Sequence, residues 1–182
     1  MLDIAVAYSR FRFLGDEFLT WLWHGVETRN ESLCALDPEV KGLSLAERMV
    51  IENREGRSKE KITIRGEDPG LEEARISLGR GAWVSELGLA LRMEKEEYRF
   101  VLKAENLNLC GLKTTHPSSF SLEEEAETRL LDRMDQLIKL FEFIDKLFSL
   151  FLSERLSPKW KSTHLASLRR WLSLKESKTP GL

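Results

Sequence analysis

The chain reads as an α+β fold, an antiparallel β-meander or sheet packed against a long C-terminal helix with short flanking helices. Three observations predict it. Apolar and polar residues alternate with period two from Trp83 to Lys103, the pattern of a sheet with one buried and one wet face. Apolar residues then recur every three or four positions from Leu130 to Phe151, the spacing of one helix face. Between these blocks the breakers are glycine, proline and asparagine at turn-like positions.

Taken in order, MLDIAVAYSRFRF is a short apolar run without a basic start or a cleavage-like site. It is expected to be a strand rather than a signal peptide. Residues 14–26 then read as a short helix, with Phe18, Leu19, Leu22 and Trp23 at helical spacing and Asp16 and Glu17 in the first turn. Two tryptophans on two turns make this helix a core anchor, with base stacking as the alternative use of the indoles. Residues 28–45 are polar and hold Pro38; they are expected to be a loop. A hairpin follows from Arg48 to Arg65, its arms Met49–Ile51 and Ile62–Ile64 and its turn Asn53 to Gly56.

Gly66 to Gly70 stops that hairpin and starts a helix. Asp68 suits the N-cap and Pro69 the first helical position, where a missing N–H costs nothing. Gly79 or Gly81 ends the helix. Strands follow in which Trp83, Leu87, Leu89 and Leu91 share one face and Glu86, Gly88, Ala90 and Arg92 the other. In the next strand Tyr98, Phe100 and Leu102 alternate with Arg99, Val101 and Lys103. Glu105 to Asn108 is turn chemistry before a last strand at Leu109 to Lys113.

The long helix begins at Ser121, where Ser121 and Glu124 form a capping box. Leu130, Met134, Leu137, Phe141, Ile144, Phe148 and Phe151 form a heptad seam, flanked by Leu140, Phe143, Leu147 and Leu150. Lys139, Glu142, Asp145 and Lys146 interrupt the apolar run, and a membrane span needs about 20 mostly apolar residues; the helix is not read as a span. Leu156-Ser157-Pro158 breaks it, and a basic helix starting at Ser157 or Thr163 runs from His164 to Leu174, with Glu176 to Leu182 expected to be frayed. The domain reading is therefore 1–156 as the α+β unit and 157–182 as a basic helical tail.

Composition is that of an ordinary soluble globular chain, with a net charge of −2. The charge is lopsided. From Ser153 onward Arg155, Lys159, Lys161, Arg169, Arg170, Lys175 and Lys178 face two carboxylates, which leaves the first 152 residues acidic. Trp160 and Trp171 stand among these cations. Cations displace counterions from a phosphate backbone and indoles stack on bases; the competing reading is a solvated helix end whose tryptophans pack on the core. Cys34 and Cys110 lack metal-ligand spacing and are expected to be reduced thiols of a cytoplasmic protein.

Catalytic patterns are wanting. His24, His116 and His164 form no HxH or HExxH pattern, Gly79-Arg80-Gly81 lacks the Lys-Ser/Thr of a phosphate loop, and Ser85 has no GxSxG context. Glu123 to Glu127 suit the dipole of a helix start without chemistry.

Residues 14–152, and most strongly 71–113, resemble the C-terminal half of the recombination-associated RdgC family. The likeness is carried by Glu72-Glu73, Gly81, Val84-Leu87-Leu89, Arg99-Phe100-Val101 and Leu109 to Lys113, and by the FLGDEFLTWLW segment. The resemblance implies a non-catalytic, sequence-independent binder of double-stranded DNA that is homodimeric, needs no cofactor or metal, takes no small-molecule substrate and is nucleoid-associated. Charge, rather than the family motif, puts the DNA contacts at Arg155, Lys159, Lys161, Arg169 and Arg170, with Trp160 as a stacker. Leu137, Phe141, Ile144, Phe148 and Phe151 are the expected dimer or partner interface. The alternative is a protein–protein adaptor that docks through the phenylalanine-rich helix 130–152 and has no nucleic-acid role.

Overall fold

The computed structural model describes residues 4–53, 60–65, 72–94, 96–114 and 126–173. Its elements are α1 (Ile4–Thr28), α2 (Asn30–Cys34), β1 (Val40–Asn53), β2 (Glu60–Arg65), α3 (Glu72–Gly79), β3 (Trp83–Met93), β4 (Glu96–Lys103), β5 (Leu109–Thr114), α4 (Ala126–Leu156), a π-helical turn (Trp160–His164) and α5 (Leu165–Ser173). The strands form one curled antiparallel sheet in the order β2-β1-β3-β4-β5. The α+β class and the β3-β4-β5 meander predicted from alternation are both present.

The N-terminal strand is not. Residues from Ile4 onward belong to α1, which runs through the expected boundary at 13/14, and Gly15 is a packing site inside that helix. A Cβ on Gly15 would lie 1.9 Å from the Ala104 carbonyl oxygen, so α1 reaches the β4–β5 turn only because residue 15 has no side chain. The expected loop at 28–45 is also more ordered than its polarity suggests. Asn30 donates to the carbonyls of Val26 and Leu43, Leu33 is fully buried, and β1 starts at Val40 because Val40 has Met93 to pair with.

The hairpin of β1 with β2 has the expected arms, Met49 opposite Ile64 and Ile51 opposite Ile62; its turn residues 54–56 fall outside the described set, as do Asp68, Pro69, Ser121 and Glu124. Of the two glycines proposed to end α3, Gly81 does so. Its φ of 92° lets Ala82 N–H reach Ser77 O at 3.1 Å while Gly81 N–H bonds Leu78 O at 3.0 Å, the paired bonds of a Schellman cap.

Two of the three register shifts between β1 and β3 bear on how the sheet packs. Val50 pairs with Glu86 and Ile51 with Val84, so Ser85 is an extra residue held by its hydroxyl to Val50 O (3.3 Å) and by its carbonyl to Ala104 N–H (2.9 Å). This bulge turns Val84 into the core and Trp83 outward, 36% exposed. Trp83 therefore does not share the face of Leu87, Leu89 and Leu91. The second irregularity is in β1, where Ala46 to Arg48 bow across β3. A Cβ on Gly88 would sit 2.6 Å from Arg48 O, so glycine there admits the bow.

Helices α1, α2 and α3 share one core with the inner face of the sheet: Phe18, Leu22, Leu33, Ala74 and Leu78 with Met49, Ile51, Val84, Leu87, Leu89, Phe100 and Leu102. α1 lies along β3, and α4 packs on α1. Phe18 meets Phe148 edge-on at 5.1 Å, and Trp21 meets Phe151 at 5.6 Å, geometries that add to plain area burial. Gln136–Glu96, Lys139–Glu39 and Lys146–Asp37 contacts tie α4 to the strand ends.

The heptad seam is not the buried stripe of α4. Leu140, Phe143, Ile144, Leu147 and Phe151 are buried, whereas Met134 and Phe141 are about half exposed. A straight helix turns every 3.6 residues, so a strict seven-residue series drifts across its surface by roughly 20° per heptad. Here the series starts on the wet side and ends in the core.

Candidate nucleic-acid interface

The break at Leu156-Ser157-Pro158 separates two helices of a single core. Ser157 organises the turn, its hydroxyl accepting Lys159 N–H (3.2 Å) and its carbonyl Trp160 N–H (3.0 Å). The π-helical turn then brings Trp160 inward. It is 7% exposed, edge-on to Phe151 at 5.9 Å and stacked on His164 at 5.7 Å. Trp160 thus has no free ring face for a base, which corrects its expected role as a stacker. Trp171 is likewise buried, edge-on to Trp23 at 4.8 Å, with its N–H donated to Glu27 (2.8 Å).

The indoles pull the segment onto α1 and leave its cations outside. Lys159, Lys161, Arg169 and Arg170 are exposed and make no ion pair among the described residues. Arg155 differs from them. Its Nε donates to Glu17 at 2.6 Å and its guanidinium lies 5.3 Å over the Trp160 ring, so it fastens α4 to α1. From Leu156 to Ser173 the sequence holds no carboxylate.

Beneath this surface lies a polar node that the sequence does not reveal. Arg29 donates both terminal nitrogens to Glu154 (2.6 and 2.9 Å), Trp21 donates its indole N–H (2.7 Å), and His164 Nδ1 is 3.1 Å away. Burial alone would raise the Glu154 pKa, but the Arg29 fork, Trp21 and the nearby positive charge outweigh it and hold the carboxyl below its ordinary value. His24 is lowered instead, first by burial and then by the Arg29 charge. It sits 3.4 Å from Ser167 Oγ and edge-on to Trp171 at 5.3 Å. A second node joins Arg75, Glu27 and Trp171, with Arg75 bonded to Glu27 at 2.5 Å and stacked 5.3 Å over the indole. The partners in these nodes lie far apart in the sequence, and no local pattern marks them.

The expected interface on α4 is largely taken by the core. Phe151 and Ile144 are buried, Phe148 packs on Phe18, and Leu137 is half-buried; of the five, Phe141 is exposed. The apolar row open to solvent is Leu131, Met134, Ile138 and Phe141, 50–59% exposed at spacings of three and four. Cys34 and Cys110 are free thiols. Among the described residues no group of three His, Cys, Asp or Glu side chains is placed to hold a metal ion, and no helix is long and apolar enough to cross a membrane. Comparison of the chain with protein-family models, with curated proteins and with solved structures finds no match.

Proposed function

We propose that the chain is a non-catalytic, sequence-independent DNA-binding protein that grips the duplex backbone through its C-terminal helical segment. The observation that carries this reading is the set of four exposed cations, Lys159, Lys161, Arg169 and Arg170, on a stretch without carboxylates and anchored by two buried tryptophans. Phosphate contacts position a protein on a duplex without reading bases, and with both indoles of the segment buried no side chain there is suited to stacking. The likeness to RdgC proteins agrees with this role.

Four phosphate contacts give a salt slope of about −3.6, so affinity should fall roughly 150-fold between 50 and 200 mM salt. Fluorescence anisotropy with a labelled duplex at the two salt concentrations measures it. Arg169→Glu/Arg170→Glu should abolish binding; unchanged affinity in that variant would sink the proposal.

A specific observation favours a second reading, docking of a second copy or another protein on α4. The row Leu131, Met134, Ile138 and Phe141 leaves four large apolar side chains in water. Under this reading Ile138→Asp/Phe141→Asp converts a dimer or complex to monomer in sedimentation while the far-ultraviolet circular dichroism stays unchanged.

A further inference from the structure

The outer face of the sheet is bare of α1, α2 and α3, which all join the core on the inner side. Strand alternation places Arg48, Lys61, Arg65, Arg92, Arg99, Lys103 and Lys113 on this outer face, against Glu52, Glu86 and Glu97 among the side chains described. That is a surplus of four positive charges on one face of a chain whose net charge is −2.

The pairing on this face runs against intramolecular stability. Arg48 stands directly opposite Arg65, and Arg99 directly opposite Lys113. Like charges in register destabilise a sheet, and an anion lying across the strands would remove that repulsion. The carboxylates compensate in part: Arg48 bonds Glu86 at 2.6 Å and Arg99 bonds Glu97 at 2.7 Å. The Arg99–Glu97 pair is wet on both sides, 50% and 34% exposed, and weak enough to yield to a phosphate; Glu86 is buried and holds Arg48 more firmly, with Lys61 and Lys103 each 4.0 Å away.

Shape agrees with charge. A furrow of about 490 Å³ is lined by Ser44, Ala46, Ala90, Arg92 and Arg99, with Glu97 the one carboxylate among its lining residues. At the other end of β3 the Ser85 bulge presents the Trp83 indole outward beside Glu52, its cross-strand partner. From Trp83 to Arg92 the strand runs roughly 30 Å. Exposed aromatic and cationic side chains spread along an open sheet suit a chain with accessible bases and a regular phosphate repeat. A duplex keeps its base faces stacked and would leave Trp83 unused.

We propose that the outer face of the sheet is a binding site for single-stranded nucleic acid, with Arg48, Arg65, Arg92, Arg99 and Lys113 on the phosphates and Trp83 stacked on a base. The site is on the opposite side of the sheet from α5, so it stands or falls independently of duplex binding by the C-terminal segment.

The test is anisotropy with oligodeoxythymidine and oligouridine of about 16 nucleotides, the upper site size of a single-strand-binding fold, beside a duplex of equal length. The expected result is that one of the single strands binds more tightly than duplex, and the tighter one names DNA or RNA as the source. Arg99→Glu/Lys113→Glu should weaken single-strand binding more than tenfold, and Trp83→Ala about tenfold. Arg169→Glu/Arg170→Glu should weaken it less than either sheet variant does. Circular dichroism checks that the sheet variants fold; should the double reversal unfold, Trp83→Ala and the milder Arg99→Gln decide the matter. Wild-type affinity in the folded sheet variants, loss confined to the Arg169/Arg170 variant, or no binding of either strand at low salt would each overturn the proposal.

Discussion

Replacing Glu154 with alanine removes the acceptor on which three elements converge. Its carboxylate takes both terminal nitrogens of Arg29, the Trp21 indole N–H and His164 Nδ1. Trp21 is 2% exposed, so its orphaned N–H costs about 1–3 kcal/mol. Arg29 would lose its counter-ion; breaking a fully buried pair costs about 3–5 kcal/mol. Arg29 and Glu154 are 26% and 14% exposed, and water can reach the freed guanidinium, which trims that figure. We expect about 3 kcal/mol in total for Glu154→Ala, and about half of that for Glu154→Gln, which keeps an acceptor for Trp21 and loses the charge. Urea unfolding followed by tryptophan fluorescence measures both, and at a slope of about 2 kcal/mol/M the alanine variant moves the midpoint down by about 1.5 M. Adding Arg29→Met to Glu154→Ala should cost less than the sum of the two, because the second change removes the stranded charge. A loss under about 1 kcal/mol for alanine would refute the node as a structural tie. Equal losses for alanine and glutamine would refute the share assigned to Trp21.

Two further predictions concern the long helix and pH. Phe151→Ala, at a fully buried site, should cost about 3–5 kcal/mol, whereas Phe141→Ala, 53% exposed, should stay within about 0.5 kcal/mol; urea midpoints that rank them the other way would show that α4 turns Phe141 rather than Phe151 into the core. His24 has a depressed folded pKa, so the unfolded chain takes up the proton first; stability is full above the ordinary value of 6.5 and is lost as pH falls through the lower folded value. Glu154 is also depressed, and its contribution is full above 4.5 and is lost below that as pH falls through its folded value. His24→Gln should flatten the fall in urea midpoint between about pH 7 and pH 5.5 while leaving the more acid loss in place.

The chain's own pattern determined the α+β class, the β3 to β5 meander, the β1–β2 hairpin arms, a glycine stop of α3 at 79 or 81 and the helix break at Leu156-Ser157-Pro158. Each rests on a local cause: alternation, a residue suited to positive φ, or a proline that cannot continue a helix. Tertiary contact decided the rest. Residues 1–13 read as a strand until α1 is seen to run through them, and Trp83 reads as a core residue until the Ser85 bulge turns it out. The stripe of α4 that faces inward was chosen by where Phe18 and Trp21 of α1 lie, because two apolar stripes of similar strength compete and periodicity cannot rank them. The basic tail was legible as charge, but its tryptophans could be assigned to the core only when Trp23 and Phe151 were placed beside them. The cations of the sheet's outer face are spread over 66 residues, from Arg48 to Lys113, and no window of sequence shows them as a group. Strand pairing gathers them, since register is a property of two segments at once and is not encoded in either alone.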